Sequence, residues 1–315
     1  MTPGSGNNRI QVEYIASSGR SGSTLVGSVL GLADDHVFVG ELRLVWQEGL
    51  LQNTPCGCGK AFLDCPFWTA VFDDAFGGFT AARAVAPQQL LGSIDHPLTK
   101  LRDLDKILAF AGPAGETPEH LRTLGRLYAA IVKVSGAKTV VDSSKSLRYA
   151  AMLNATPGLQ PRLTNLIRDP RGILMSRSRR PRQRDGSEQS WKHDMRRMRM
   201  LKTISKWAVR NALAAHILRR HGGVRLLYEE FTRDQTWYLQ AILGPALASG
   251  VASQLQTGVK EGMVQHQIGG NWVRNLKIRA DESWRTELPV LPKIVASVLS
   301  FPMRLVYRST VYRPR

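Results

Sequence analysis

Apolar and polar residues fall along this chain in short blocks whose spacing predicts strands alternating with helices. Residues 10–16 (IQVEYIA) read as a strand that runs into the loop SSGRSGS, and residues 24–32 read as the helix after it. Residues 37–39 form a short apolar run that reads as a second strand. Further on, Thr117 suits a helix N-cap and Pro118 the first helical position. Leu121, Leu124, Leu127, Tyr128, Ile131 and Val132 then make one apolar stripe, and Gly136 can end that helix with a positive φ. Residues 138–141 (KTVV) and 162–167 (RLTNLI) read as strands. Asp169 suits the N-cap of the helix after the second of these, with Pro170 at its first position. Residues 224–228 (VRLLY) read as a further strand.

This alternation predicts an α/β fold: a P-loop-like parallel sheet flanked by helices on both faces. Ligands of such sheets bind beyond the C-terminal strand ends. The residues with the most distinctive chemistry in this chain fall at those ends.

The 315 residues are 43% hydrophobic and 22% charged, a globular rather than a disordered composition. They divide into a polar N-terminus (1–9) expected to be disordered, a single domain (10–285) and a basic, apolar C-terminal segment (286–315). Within the domain, residues 70–113 read as helices and connectors that form a lid on the substrate side. The N-terminus lacks the apolar core of a signal peptide, and no stretch reaches the roughly 18 uninterrupted apolar residues of a membrane span. A cytoplasmic location is therefore expected. The formal net charge of +18 attracts polyanions, be they nucleotides, nucleic acid, anionic lipid or acidic substrates, without choosing among them.

The three cysteines, Cys56, Cys58 and Cys65, are an odd and clustered set, unlike the disulfide framework of a small secreted domain. They would bind zinc if His36 or His96 supplied a fourth ligand. The simpler reading is a structural turn with buried or occasionally paired thiols, and no metal is expected.

Between the first strand and its helix lie Ser18, Gly19, Arg20, Ser21, Gly22, Ser23 and Thr24. Small residues at a helix start place backbone N–H groups and a positive helix end around an anion. A nucleoside-triphosphate loop needs Lys before the Ser/Thr, and here that triplet is Gly22-Ser23-Thr24. The cation sits inside the loop, at Arg20. This argues against a nucleotide kinase, the first rival reading.

The run Arg20-Ser21-Gly22-Ser23-Thr24 resembles the first signature of the sulfotransferases that use 3′-phosphoadenosine-5′-phosphosulfate (PAPS). It is similar to the tyrosylprotein, carbohydrate and bacterial branches, which carry Arg at that position. The family's second signature is an Arg at a strand end with a Ser eight residues later, and Arg168 and Ser176 match it within LIRDPRGILMS. The third is a late Gly-rich loop, which Ile268-Gly269-Gly270-Asn271-Trp272-Val273-Arg274 resembles. The Arg-Lys-Gly run that precedes this loop in the cytosolic branch is replaced here by Gln265-His266-Gln267. Weaker echoes of bacterial members are Cys56-Gly57-Cys58-Gly59 with Cys65-Pro66-Phe67-Trp68, and the turn Tyr228-Glu229-Glu230-Phe231. The resemblance spans about residues 10 to 275.

This resemblance implies transfer of a sulfuryl group from PAPS to an acceptor hydroxyl. Residues Gly19, Arg20, Ser21, Gly22, Ser23 and Thr24 would bind the 5′-phosphosulfate. Arg168 and Ser176 would bind the 3′-phosphate, with Gly270, Asn271, Arg274 and His266 closing over it. A planar guanidinium fork suits that phosphate. Such transfer needs positioning, cations at the leaving group and a base for the hydroxyl proton, and requires no metal. Arg20 is one cation. Lys145, in Val141-Asp142-Ser143-Ser144-Lys145, is similar to a lysine that the same branches place at the bridging oxygen. A plainer reading makes Asp142-Ser143-Ser144 a helix-capping turn and Lys145 a solvated residue. Glu41, twenty-one residues after Arg20, resembles the glutamate base of the tyrosylprotein branch. The plainer reading pairs it with Arg43 on the surface, and His96 is the alternative base.

Cations are dense from Arg177 to Arg210, with Trp191 and Trp207 among them. They suit an anionic acceptor or an anionic membrane surface, or simply form a solvated helix face. The apolar residues 288–307 would lie on a membrane or pack on the domain as a helix broken at Pro302. The expected partners are PAPS or its product PAP, a hydroxyl acceptor (a small molecule, glycolipid or sugar rather than a protein) and peripherally an anionic membrane. No specific nucleic acid is expected. The second rival reading is a non-enzymatic polyanion-binding protein, which the charge alone suggests.

Overall fold

A computed structural model describes residues 9–85, 116–179, 197–257, 265–270, 276 and 278–309. The expectations for most of the lid, the arm at 180–196, Trp191, His96, Asn271 and Arg274 lie outside the described residues.

The chain runs β1 (Ile10–Ser17), α1 (Ser23–Leu30), β2 (His36–Gly40), α2 (Pro66–Phe76), α3 (Phe79–Val85), α4 (Glu119–Ser135), β3 (Thr139–Lys145) and α5 (Leu147–Ala155). Then follow β4 (Leu159–Ile167), α6 (Pro170–Ser178), α7 (Arg197–His221), β5 (Val224–Leu227), α8 (Tyr228–Phe231), α9 (Thr236–Leu243) and α10 (Pro245–Thr257). The described chain ends with α11 (Trp284–Glu287) and α12 (Val290–Ser309). Leu42–Leu44 and Val45–Leu51 form short irregular helical turns after β2. The five strands lie in the order β2-β3-β1-β4-β5, and every pairing is parallel. The protein is thus α/β with a parallel sheet flanked by helices.

The central strand shows why the sheet is covered on both faces. Successive side chains of a strand point to opposite sides. Val12, Tyr14 and Ala16 of β1 join one core with Leu124, Leu127 and Tyr128 of α4 and Leu153 of α5. Ile15 joins the other, with Val26 of α1 and Leu239 and Ile242 of α9. The first core extends into an aromatic group of Trp46, Phe62, Trp68 and Phe72, all buried. Each such ring contributes about 2–3 kcal/mol of apolar burial, which anchors the segment after β2 to the sheet.

Several local expectations shift. Pro118, not Thr117, is the N-cap position of α4, and no side chain caps that helix; a proline there carries no donor of its own to satisfy. Gly136 does end the helix, at φ 70°. β3 continues through Asp142, Ser143 and Ser144 to Lys145, so these residues are strand and not a capping turn. The cap of α5 is Ser146, whose hydroxyl accepts from the Tyr149 N–H. β5 ends at Leu227, and Tyr228 opens a helical turn. Pro302 sits inside α12 without breaking it, and that helix packs on α6 and α7.

Candidate active site

Because β1 is paired on both sides, by β3 and β4, its C-terminal end is held in place. The loop of residues 18–22 leaves that end. Gly22 precedes α1 at φ 90°, and a Cβ there would lie 2.6 Å from the Tyr228 ring. α1 has neither a capping side chain nor an acidic residue in its first turn. Its N-terminal amides thus point to the loop without an internal anion. The Ser21 hydroxyl is buried beside them and has no hydrogen-bond partner.

Arg20 itself has φ 72° and Lys145 φ 68°. Among the described residues, the other non-glycine positions with positive φ are Asp35 and Asn53, types that tolerate it. Arg and Lys do not, and backbone strain of this kind concentrates at functional sites. The two candidate cations are therefore held in costly conformations at two neighbouring strand ends.

Around the loop gathers a group of arginines. Arg20 Nε donates to Ser176 Oγ at 3.0 Å, so the structure joins the loop cation to the serine of α6. Arg168 is buried and donates through Nη1 to the Arg20 carbonyl at 3.0 Å. Its guanidinium lies 4.5 Å from the centre of the Tyr228 ring, and the Trp207 indole N–H donates to its carbonyl. Arg210 donates to the Ser17 carbonyl at 2.9 Å, and Arg177 packs beside Gly19. Burial first, and then the charge of Arg168, hold the Arg20 guanidinium below its ordinary range. Burial does the same to Arg177, helped by Arg20 and Arg210. Such a concentration of cations is costly without an anion.

Arg168 also carries a feature that sequence did not signal. Its Nη2 donates to Asp281 Oδ2 at 3.0 Å, and Arg179 Nη1 approaches the same oxygen at 3.3 Å. Asp281 thus takes an anion's place between two arginines. Asp169, next to Arg168, accepts from the Arg171 N–H and guanidinium.

Glu41 follows β2 and is 6% exposed, so it is no surface residue. Its carboxylate accepts from Lys145 Nζ and, at 3.1 Å, from Arg43 Nη2. Burial alone would push its carboxyl up; Lys145 and then Arg43 overcome that and hold it below the usual range. Arg43 Nε donates to the Ser144 carbonyl at 2.8 Å, and Ser144 donates through N–H and hydroxyl to Asp142. Asp142 also accepts from the Tyr128 hydroxyl at 2.6 Å, and burial raises it to about 6. This ladder from Tyr128 to Glu41 runs under the site. Sequence offered one signal for it, an acid inside the apolar run TVVDSS.

A cleft of about 240 Å³ connects the two halves. Ser18 and Gly19 of the loop after β1 line it together with Glu41, Arg43, Lys145, Arg177, Lys206 and Arg210. Residues 265–270 lie against the end of β2 and the start of α1. Ile268 bridges Gly40, and the Glu41 N–H donates to the Ile268 carbonyl at 2.7 Å. At Gly270, φ 70°, a Cβ would come 2.5 Å from Thr24 Oγ1, so this segment lies directly on the first turn of α1. His266, expected from the resemblance at the 3′-phosphate, lies among the cysteines. It turns toward the cysteines, with Nδ1 3.2 Å from Cys65 Sγ, and stacks on Phe67. In an extended segment neighbouring side chains alternate, and Gln267 takes the buried position beside it. Among the described residues it is His266, and not His36, that joins the three thiols.

No protein-family model matches the chain, and no curated protein matches it. Among solved structures it is similar to the sulfotransferase domain from the Synechococcus PCC 7002 olefin synthase. That likeness covers 96% of this chain and 97% of that one, at 17% identity and a TM-score of 0.46. It is too distant to assign an activity.

Proposed function

We propose that this protein is a sulfotransferase that uses PAPS as donor and an alcohol or phenol as acceptor. One observation carries this reading: a single cleft joins a phosphate loop lacking the ATPase lysine to the Glu41–Lys145 pair. The residues present fit a nucleotide with several negative charges. The uncapped start of α1, the unpartnered Ser21 hydroxyl and the buried Nε of Arg168, also unpartnered, are donors in want of an anion. In this reading residues 19–24 hold the 5′ end of the donor, and Arg168 with Ser176 and the segment at Gly270 holds its 3′-phosphate. Asn271 and Arg274 belong to the same proposal on sequence grounds. When bound, the donor supplies a sulfuryl group that passes to the acceptor oxygen, leaving 3′,5′-adenosine bisphosphate.

Glu41 takes the proton from the acceptor hydroxyl. Lys145 keeps that carboxylate ionised and, with Arg20, balances charge on the departing phosphate. Arg43 and the ladder to Asp142 fix the orientation of Glu41. The cations of the cleft favour an acceptor that carries negative charge near its hydroxyl, such as a small molecule, glycolipid or sugar.

Calorimetry with 3′,5′-adenosine bisphosphate and with Mg-ATP tests this reading. Micromolar binding of the bisphosphate alone, lost in Arg168→Ala, is the expected result. Preference for Mg-ATP would return the protein to the kinases, and steeply salt-dependent binding of any polyanion without the bisphosphate would make it a polyanion-binding protein.

The proposal includes a cytoplasmic enzyme peripheral to an anionic membrane. No helix among the described residues is long and apolar enough to cross one. α12 exposes Val290, Ile294, Val298, Phe301 and Leu305 on one stripe of a strongly basic chain. Flotation with anionic vesicles tests this contact: equal flotation with and without residues 286–315 would remove α12 from it.

A further inference from the structure

Three cysteines and one histidine converge beside the candidate active site. Cys56 and Cys58 lie on a tight hairpin. The Cys56 N–H donates to the Lys60 carbonyl at 2.8 Å, the Gly59 N–H to the Cys56 carbonyl at 2.8 Å, and Pro55 bridges Ala61. Cys65 is the N-cap residue of α2, its carbonyl accepting from the Thr69 N–H at 2.9 Å. His266 arrives from 201 positions further along the chain. The Gly57 N–H donates to the Gln267 carbonyl at 3.0 Å, so the hairpin and the late segment are joined through their backbones.

The four ligand atoms lie within 4.8 Å of one another. Cys58 Sγ is 3.7 Å from Cys65 Sγ, and His266 Nδ1 is 3.8 Å from Cys56 Sγ and 3.2 Å from Cys65 Sγ. A tetrahedral zinc with ordinary Zn–S and Zn–N bonds sets its ligand atoms about 3.6–3.8 Å apart. A disulfide needs sulfurs at about 2.05 Å and would leave one thiol and the imidazole unexplained. Soft thiolates with an imidazole select zinc over magnesium or calcium. Cys56 and Cys65 are buried, and the His266 ring is stacked on Phe67 at 4.8 Å between centroids.

We propose that Cys56, Cys58, Cys65 and His266 hold a structural zinc ion that clamps residues 265–270 against the end of β2. Four protein ligands close the coordination sphere, so the ion takes no part in chemistry. Its effect is positional. Residues 265–270 touch Gly40, Glu41 and Thr24, while the hairpin rests on the aromatic core through Phe62 and Trp68, stacked at 5.4 Å. Zinc ties the one to the other across more than half the sequence.

The test uses reduced full-length protein. Elemental analysis is expected to find about one zinc per chain. Cobalt(II) in its place should give a tetrahedral spectrum with thiolate-to-metal charge transfer. All three thiols should resist a thiol reagent until a chelator removes the ion. His266→Ala should lose zinc to a chelator faster by on the order of 10-fold or more. His266→Cys should keep the ion and gain charge-transfer intensity, which separates a lost ligand from a lost fold. Freely reactive thiols in native, zinc-free protein, or a Cys58–Cys65 disulfide after expression with zinc, would overturn the proposal. So would zinc content and a cobalt spectrum unchanged in His266→Ala. None of these readouts depends on the donor nucleotide, so they stand or fall apart from the sulfotransferase reading.

Discussion

Lys145, at the last position of β3, donates a hydrogen bond to the carboxylate of Glu41, 104 residues earlier. The pair exists because β2 and β3 are neighbours in parallel register, with Gly40 opposite Asp142. A buried carboxylate between two cations is ionised at neutral pH, and in the proposed reaction it takes the acceptor's proton.

Glu41→Gln is expected to lower kcat by about 10²- to 10⁴-fold while leaving bisphosphate binding unchanged. Because Lys145 and Arg43 hold the Glu41 carboxyl below the usual carboxylate range, the acid limb of kcat/KM should lie below that of an ordinary glutamate. Lys145→Ala removes one of those cations and should move that limb upward as well as slowing turnover. A pH profile of the two enzymes checks this; coincident acid limbs would separate Glu41 from catalysis.

In the proposed reading Asp281 occupies the fork of Arg168 that would hold the 3′-phosphate, so the two anions would compete. Asp281→Asn is expected to tighten bisphosphate binding, on the order of 10-fold at low salt, and to lower Tm because Arg168 loses its carboxylate. Arg168→Lys should bind weakly, since an ammonium cannot replace the fork. Calorimetry on the two variants and thermal melts without ligand measure both effects. Weaker binding in Asp281→Asn would mean that the carboxylate positions Arg168 for its ligand.

Gly22→Ala places a Cβ at φ 90° and 2.6 Å from the Tyr228 ring, which is held under Arg168. A cost of about 1–3 kcal/mol is expected, seen as a lower denaturation midpoint. Bisphosphate affinity should fall with it, as the loop and Arg168 move together.

Glu13 lies inside β1 at 4% exposure, with Arg162 3.0 Å away. Burial, partly offset by Arg162, raises its carboxyl from 4.5 to about 7. The folded state therefore holds this proton more tightly than the unfolded one. Its contribution is complete below about pH 4.5 and is lost as pH rises through 7. Glu13→Gln should flatten that slope and be more stable than the parent at pH 8, by about 2 kcal/mol. Urea melts at pH 5 and pH 8 measure the difference.

Much of the architecture was legible locally. The apolar runs, the Asp169-Pro170 helix start, Gly136 and the Gly/Ser loop are each written in a few adjacent residues, because periodicity and turn chemistry act over one or two turns of chain. That Arg20, Arg168 and Lys145 lie at strand ends followed from the same pattern, while their selection as candidate site residues followed from the family resemblance. Asp142 and the serines after it misled, because an acid followed by serines reads equally as a cap or as a strand whose polar groups satisfy one another.

Sequence by itself determined a parallel α/β sheet with a Gly/Ser loop at its middle strand, and a cluster of three thiols. Tertiary structure decided the partners: Lys145 for Glu41, Asp281 for Arg168, and His266 for the cysteines. Those pairs are 104, 113 and more than 200 residues apart. Strand order and the direction of each side chain from its backbone bring them together, and neither is encoded within a turn or two of any one of them.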